Sequence, residues 1–112
     1  MNMLNSLIIE GAVEDVKKSA AINTVSMTVK SIRNFKGSDG NVLDEISYFD
    51  CECYGNLADT VEKWAEKDRG IRIVGRLKQK RWTDDSGKTC SKIVIIAEHI
   101  EFKPMKEAKV ES

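Results

Sequence analysis

The stretch ISYFDCECYGNLADTVEKWAEKDRGIRIVGRLKQKRW, residues 46–82, changes its period twice, and the two changes set the fold class. In ISYFDCECY the side chains alternate. Phe49, Cys51 and Cys53 fall on one face of an extended chain and Tyr48, Asp50, Glu52 and Tyr54 on the other. Small, burial-prone cysteines mark the first face as the inner one. From residue 56 the spacing becomes helical: Leu57, Val61, Trp64 and Ala65 form one apolar stripe. Asn56 stands where a cap belongs, Asp59 follows as in a weak capping box, and Gly70 marks the exit. A helix over 57–67 is predicted, with Trp64 packed into the core. GIRIVGRLKQKRW then returns to period two, opposing Ile71, Ile73, Gly75 and Leu77 to Arg72, Val74, Arg76, Lys78, Lys80 and Trp82.

Outward from this segment the chain reads as strands. LNSLIIEGAV places Leu7, Ile9, Gly11 and Val13 on one face, and Gly11 suggests a bend, a bulge or a close backbone approach. EDVKKSAA reads as a polar link, and INTVSMTVKSI as a half-buried strand with Val25, Met27 and Val29 inward. RNFKGSDGNVLDE, residues 33–45, reads as a long hairpin loop whose outer parts can continue the ladder. TDDSGK is a turn, and TCSKIVIIAEHIEF is one long strand or two short ones. The order is three strands, one helix and two strands, an all-β plan with one helix. It fits a five-stranded OB-fold barrel with the helix between strands three and four. An open α+β sheet fits the same order, but it would leave hydrophobic edges unprotected, so chain length and turn spacing favour closure.

The chain has 112 residues, enough for one domain over 1–103, with residues 104–112 expected to form a short flexible tail. Lys plus Arg and Asp plus Glu each total 18, so any attraction to nucleic acid must be local. It is concentrated in two places. Between Arg69 and Thr83 stand six cations and no acid, and four of them, Arg72, Arg76, Lys78 and Lys80, share the Trp82 face. A second run places Lys30, Arg33 and Lys36 around Phe35. Cations attract phosphates without regard to sequence, and flat rings stack on unpaired bases, which a duplex hides. A single strand lying across Trp82, Tyr48, Tyr54 and Phe35 would use both. A protein interface or a merely solvated basic face accounts for the same pattern, and Asp50 and Glu52, between the two tyrosines, would repel phosphates.

Other chemistries find little support. Cys51, Cys53 and Cys90 are odd in number and lack zinc-ligand spacing, so no disulfide framework, metal or cofactor is expected. His99 is the only histidine and has no nucleophile motif near it, and no phosphate-binding glycine loop is present, so no enzyme is expected. With neither a membrane-length apolar run nor a signal-peptide pattern, a cytoplasmic, nucleoid-associated chain is the expectation.

In combination, LIIEGAV, VSMTVKS and the run from Tyr48 to Lys88 resemble the bacterial single-stranded DNA-binding protein family over roughly residues 4–102. The most specific part is Tyr54 to Gly87: an aromatic-Gly-x-Leu-Ala helix start, a glycine-spaced strand and a basic-Trp-Thr-Asp turn. The resemblance implies an OB-fold that assembles as a homotetramer, with a dimer next. It implies binding of single-stranded DNA with little sequence preference during replication, repair and recombination, alongside replication and repair proteins. An OB-fold adaptor for proteins or single-stranded RNA is the alternative. Carried over by position, Tyr48, Tyr54 and Trp82 are stacking residues. The family's further aromatic falls near Asn34, beside Phe35. Lys30, Arg33, Arg72, Arg76, Lys78 and Lys80 are the phosphate contacts. The chain departs from the pattern in a short link between strands one and two, in Asp50 at a commonly basic position, and in lacking the long tail with an acidic tip.

Overall fold

The computed structural model describes residues 1–104; most of the tail expected at 104–112 therefore lies outside the described residues. Five strands and one helix follow in order: β1 (Leu7–Lys18), β2 (Thr24–Lys36), β3 (Val42–Tyr54), α1 (Asn56–Trp64), β4 (Gly70–Thr83) and β5 (Thr89–Phe102). The strands close into a barrel in the order β1-β2-β3-β5-β4, with α1 between β3 and β4, which is the OB-fold plan. β1 closes it by pairing with β2 along one edge and with β4 along the other, from Leu7 opposite Gly75 to Ala12 opposite Gly70. β3 and β5 meet in a short parallel contact at Cys51–Ile95 and Glu52–Ile96.

The inner faces are those the alternation indicates. Val13, Val25, Met27, Val29, Cys51, Cys53, Ile71 and Ile73 are buried in one core with Ala58 and Val61 of the helix. The backbone approaches closely at Gly11, where a Cβ would stand 2.4 Å from the Lys30 carbonyl oxygen. No side chain fits there, which is the close approach that this glycine signals in the sequence.

Three local expectations change. Of the link EDVKKSAA, EDVKK is instead the continuation of β1 to Lys18. The register shifts between Val13 and Asp15, so Val16 pairs with Met27 and packs on the core three residues after Val13. A bulge breaks the period of two and so hides the strand in the sequence. The 33–45 loop shrinks to the turn at 37–41: the ladder runs to Lys36 opposite Val42, and Gly37 N–H donates to the Asn41 carbonyl at 2.8 Å. The helix ends at Trp64, and Gly55, at φ 60°, takes the cap position in place of Asn56.

Trp64 is not in the core; it is 49% exposed, with the Lys63 ammonium 5.3 Å from its ring centre. The buried helix residues are Ala58 and Val61, with Ala65 packed beside them. At 3.6 residues per turn Trp64 lies about 60° beyond Val61, away from Ala58. The small alanines, more than the large side chains, mark the face that approaches the barrel.

Burial pushes the Cys51 thiol up to about 12, aided by Cys53 and Asp50, and the Cys53 thiol up to about 11, aided by Glu52. Cys90 is only partly buried. The thiolate is the reactive form, so at about pH 8 iodoacetamide should alkylate Cys90 alone in the folded protein and all three cysteines after denaturation. Mass spectrometry of the intact chain reads the difference. Rapid labelling of Cys51 in the native protein would contradict this placement.

Candidate nucleic-acid interface

The outer face of β3 carries Tyr48, 57% exposed, and Tyr54, 44% exposed. They stand six residues apart on one side of the strand, about 20 Å at the rise of an extended chain. Tyr48 pairs across the ladder with Lys30 of β2, and Tyr54 with Thr24. Trp82, 48% exposed, lies near the far end of β4, opposite Cys90 of β5. There the β4–β5 hairpin has left the barrel, and Leu77 and Ile93 are exposed as well. Lys78, Lys80 and Trp82 share one side of this arm by strand alternation.

Between the two tyrosines runs a groove of about 260 Å³, lined by Asp15 and Lys17 of β1, Ser26 and Thr28 of β2, Asp50 and Glu52 of β3, and Lys92 and Val94 of β5. Neither of the troublesome acids is left bare. Lys92 pairs with Asp50 at 2.9 Å and the Thr28 hydroxyl donates to it at 3.1 Å; the Lys92 contact first, then Thr28, holds the Asp50 carboxyl below its usual range. Burial works to raise the Glu52 carboxyl, but hydrogen bonds from Lys80 and Tyr54 outweigh it, and the group stays below its usual range. The Tyr54 hydroxyl donates to Glu52 Oε1 at 2.5 Å, and Lys80 Nζ binds Glu52 Oε2. Lys92 escapes a sequence reading because the β3–β5 contact that brings it to Asp50 joins strands distant in the chain, whereas Thr28 meets Asp50 directly across the β2–β3 ladder.

The cations named from sequence divide into two groups. Arg72 binds Glu10 at 2.7 Å and Glu101 at 3.5 Å, Arg76 binds Glu98 at 3.1 Å, Arg33 lies 3.7 Å from Glu45, and Lys80 is held by Glu52. Among the described residues Lys30 and Lys78 form no ion pair. Arg33 and Phe35 contact one another, guanidinium to ring centre 5.6 Å, but alternate with Lys30 and so occupy the other side of the β2–β3 arm from Tyr48. Asn34, on the Tyr48 side, hydrogen-bonds Asp44 across the ladder. The site therefore joins two exposed rings on the outer face of β3 to a third on the β4–β5 arm. Two unpaired lysines flank it, and acid–base pairs fill the space between.

Comparison with known proteins gives a consistent result. The model of the Single-strand binding protein family matches residues 4–103. The chain is 36% identical over 76 residues to the single-stranded DNA-binding protein of Wolinella succinogenes, covering 68% of this chain and 47% of the relative. It is 31% identical over 106 residues to that of Helicobacter hepaticus, covering 89% and 61%. The chain spans about half the length of the curated relatives it matches. Among solved structures, a Plasmodium falciparum SSB in complex with ssDNA superposes with a TM-score of 0.78 at 16% identity, covering 93% of this chain and 98% of that one. A deletion mutant of the Thermus aquaticus single-stranded DNA binding protein gives 0.75 at 21% identity, covering 90% and 51%.

Proposed function

We infer the function from one premise: the chain belongs to the single-strand binding protein family. It binds single-stranded DNA with little sequence preference. The bases stack on Trp82, Tyr54 and Tyr48, and Lys30 and Lys78 take the phosphates first. Arg72 and Arg76 contribute where a phosphate can share or replace a carboxylate partner, Lys80 stays held by Glu52, and Arg33 and Phe35 serve a strand passing round the β2–β3 arm. Three exposed rings, Tyr48 and Tyr54 on the outer face of β3 and Trp82 on the β4–β5 arm, carry this reading. Exposed rings of this size are costly to hydrate and suit base faces, which are flat and common to every nucleotide.

The binding unit is residues 1–103, acting by binding and protection and not as an enzyme, in replication, repair and recombination. We place it in the cytoplasm with the nucleoid; among the described residues no helix is long and apolar enough to cross a membrane. The working assembly is a homotetramer. Exposed Ile8 on β1 and Ile32 and Ile46 on the β2–β3 arm are apolar surface that further copies would cover.

Titration with oligo-dT tests the reading. Tryptophan emission should be quenched on binding, and log affinity should fall linearly with log salt, by about 0.7 for each phosphate neutralised. Light scattering in the same buffer should return the tetramer mass. Absence of quenching at low salt would refute the stacking site, and a monomer mass would refute the assembly.

A further inference from the structure

Among the described residues Glu52 is the one buried charged residue, at 7% exposure, and it sits in the middle of the outer face where a polyanion would pass. A carboxylate withdrawn from water is costly unless paired and hydrogen-bonded. Both of its oxygens are engaged: Oε1 by the Tyr54 hydroxyl, Oε2 by the Lys80 ammonium. The two partners come from different strands, Tyr54 from β3 and Lys80 from β4, with β5 between them in the barrel. We propose that Glu52 is a positioning residue of the binding face, which fixes the Tyr54 ring by its hydroxyl and withdraws Lys80 from the phosphates.

Two consequences follow from the geometry. Tyr54 is anchored at its tip, so its rotamer is set before a base arrives and less freedom is lost on stacking. Lys80 stays beside Trp82 but with its charge cancelled, so the stretch between Tyr54 and Trp82 attracts base faces more than phosphates. Lys78 of β4 also faces the Glu52 carboxylate, and Lys17, Lys92 and Asp15 line the same groove. The Tyr54 phenol is raised by its hydrogen bond to Glu52, then by burial, and Arg76 opposes the shift. The inference rests on the single-strand reading for its effect on DNA, but the Glu52 contacts can be tested without DNA.

The experiment uses the full chain. The sequence has two tyrosines, so Tyr48→Phe leaves Tyr54 as the only phenol, whose ionisation is read by absorbance near 295 nm. Adding Glu52→Gln keeps the shape, removes the charge, and should lower the Tyr54 midpoint. In DNA titrations Lys80→Gln should leave the salt slope unchanged. Glu52→Gln alone should steepen it by about 0.7, making the affinity lost between about 50 and 200 mM salt roughly 2.6 times larger as Lys80 becomes a phosphate contact. An unmoved Tyr54 midpoint, or a Lys80→Gln slope shallower by about 0.7, would overturn the proposal. Lys80 is half-exposed, so that variant keeps the test valid even if Glu52→Gln folds poorly. If the wild-type chain binds no oligo-dT the function is wrong, and the phenol titration still decides whether Glu52 holds Tyr54.

Discussion

Replacing Ile73 by Ala is expected to destabilise the protein by about 2–5 kcal/mol. Ile73 is fully buried, pairs with Ile9 of β1 and Ile100 of β5, and belongs to the cluster that also holds Val61 of the helix. Its side chain thus meets the two strands whose pairing with β4 closes the barrel, and truncation leaves a cavity that none of them can fill without breaking the ladder. For a domain of this size the loss should lower Tm by at least about 8 °C. Ile22, exposed in the turn between β1 and β2, is the control: Ile22→Ala should stay within about 0.5 kcal/mol of the wild type. Calorimetry on the two variants reads the contrast, and equal Tm values would mean that the core does not lie inside this barrel.

The second large effect is on binding. Trp82→Ala should weaken single-strand affinity by about 1–3 kcal/mol, or about 5- to 150-fold. The ring is half-exposed on an arm outside the core, so its loss removes a stacking surface and leaves the barrel intact. Trp82→Phe should recover most of the affinity, since a smaller ring still stacks. Trp64 is the chain's other tryptophan and would still emit in the Ala variant, so anisotropy of a labelled oligo-dT is the suitable readout. Trp64→Ala, at the C-terminal end of the helix, should bind as the wild type does.

Much of this architecture is legible in the sequence because burial on one side of a strand writes itself as a period of two. Val25, Met27 and Val29 show it plainly, as do Cys51 and Cys53, and the β4 run gives both its inner isoleucines and its outer cations. What remains hidden has physical causes. The bulge after Val13 disrupts the alternation, so the second half of β1 looks like a link. Of the arm residues 33–36 and 42–45 all but Phe35 are exposed, so no hydrophobic alternation separates ladder from loop. The helix turns its alanines inward because the barrel is close, which moves Trp64 to the rim.

The candidate site shows the same division. The rings of Tyr48, Tyr54 and Trp82 and the basic run are visible residue by residue, but which cations carry free charge is not. Arg72 meets Glu10 across the β1–β4 seam, Lys80 meets Glu52 across β5, and Lys92 meets Asp50 across the β3–β5 contact, all pairings between residues far apart in sequence. The acids that count against a binding face in the linear reading are the partners of its lysines.

The most direct test is to measure affinity for one mixed-sequence oligonucleotide, first as a single strand and then annealed to its complement, at the same salt. Three stacking surfaces worth at least about 1 kcal/mol each favour the single strand by about 100-fold or more, because a duplex hides its base faces. Equal affinity for the two forms would contradict the account, leaving only attraction between phosphates and exposed lysines.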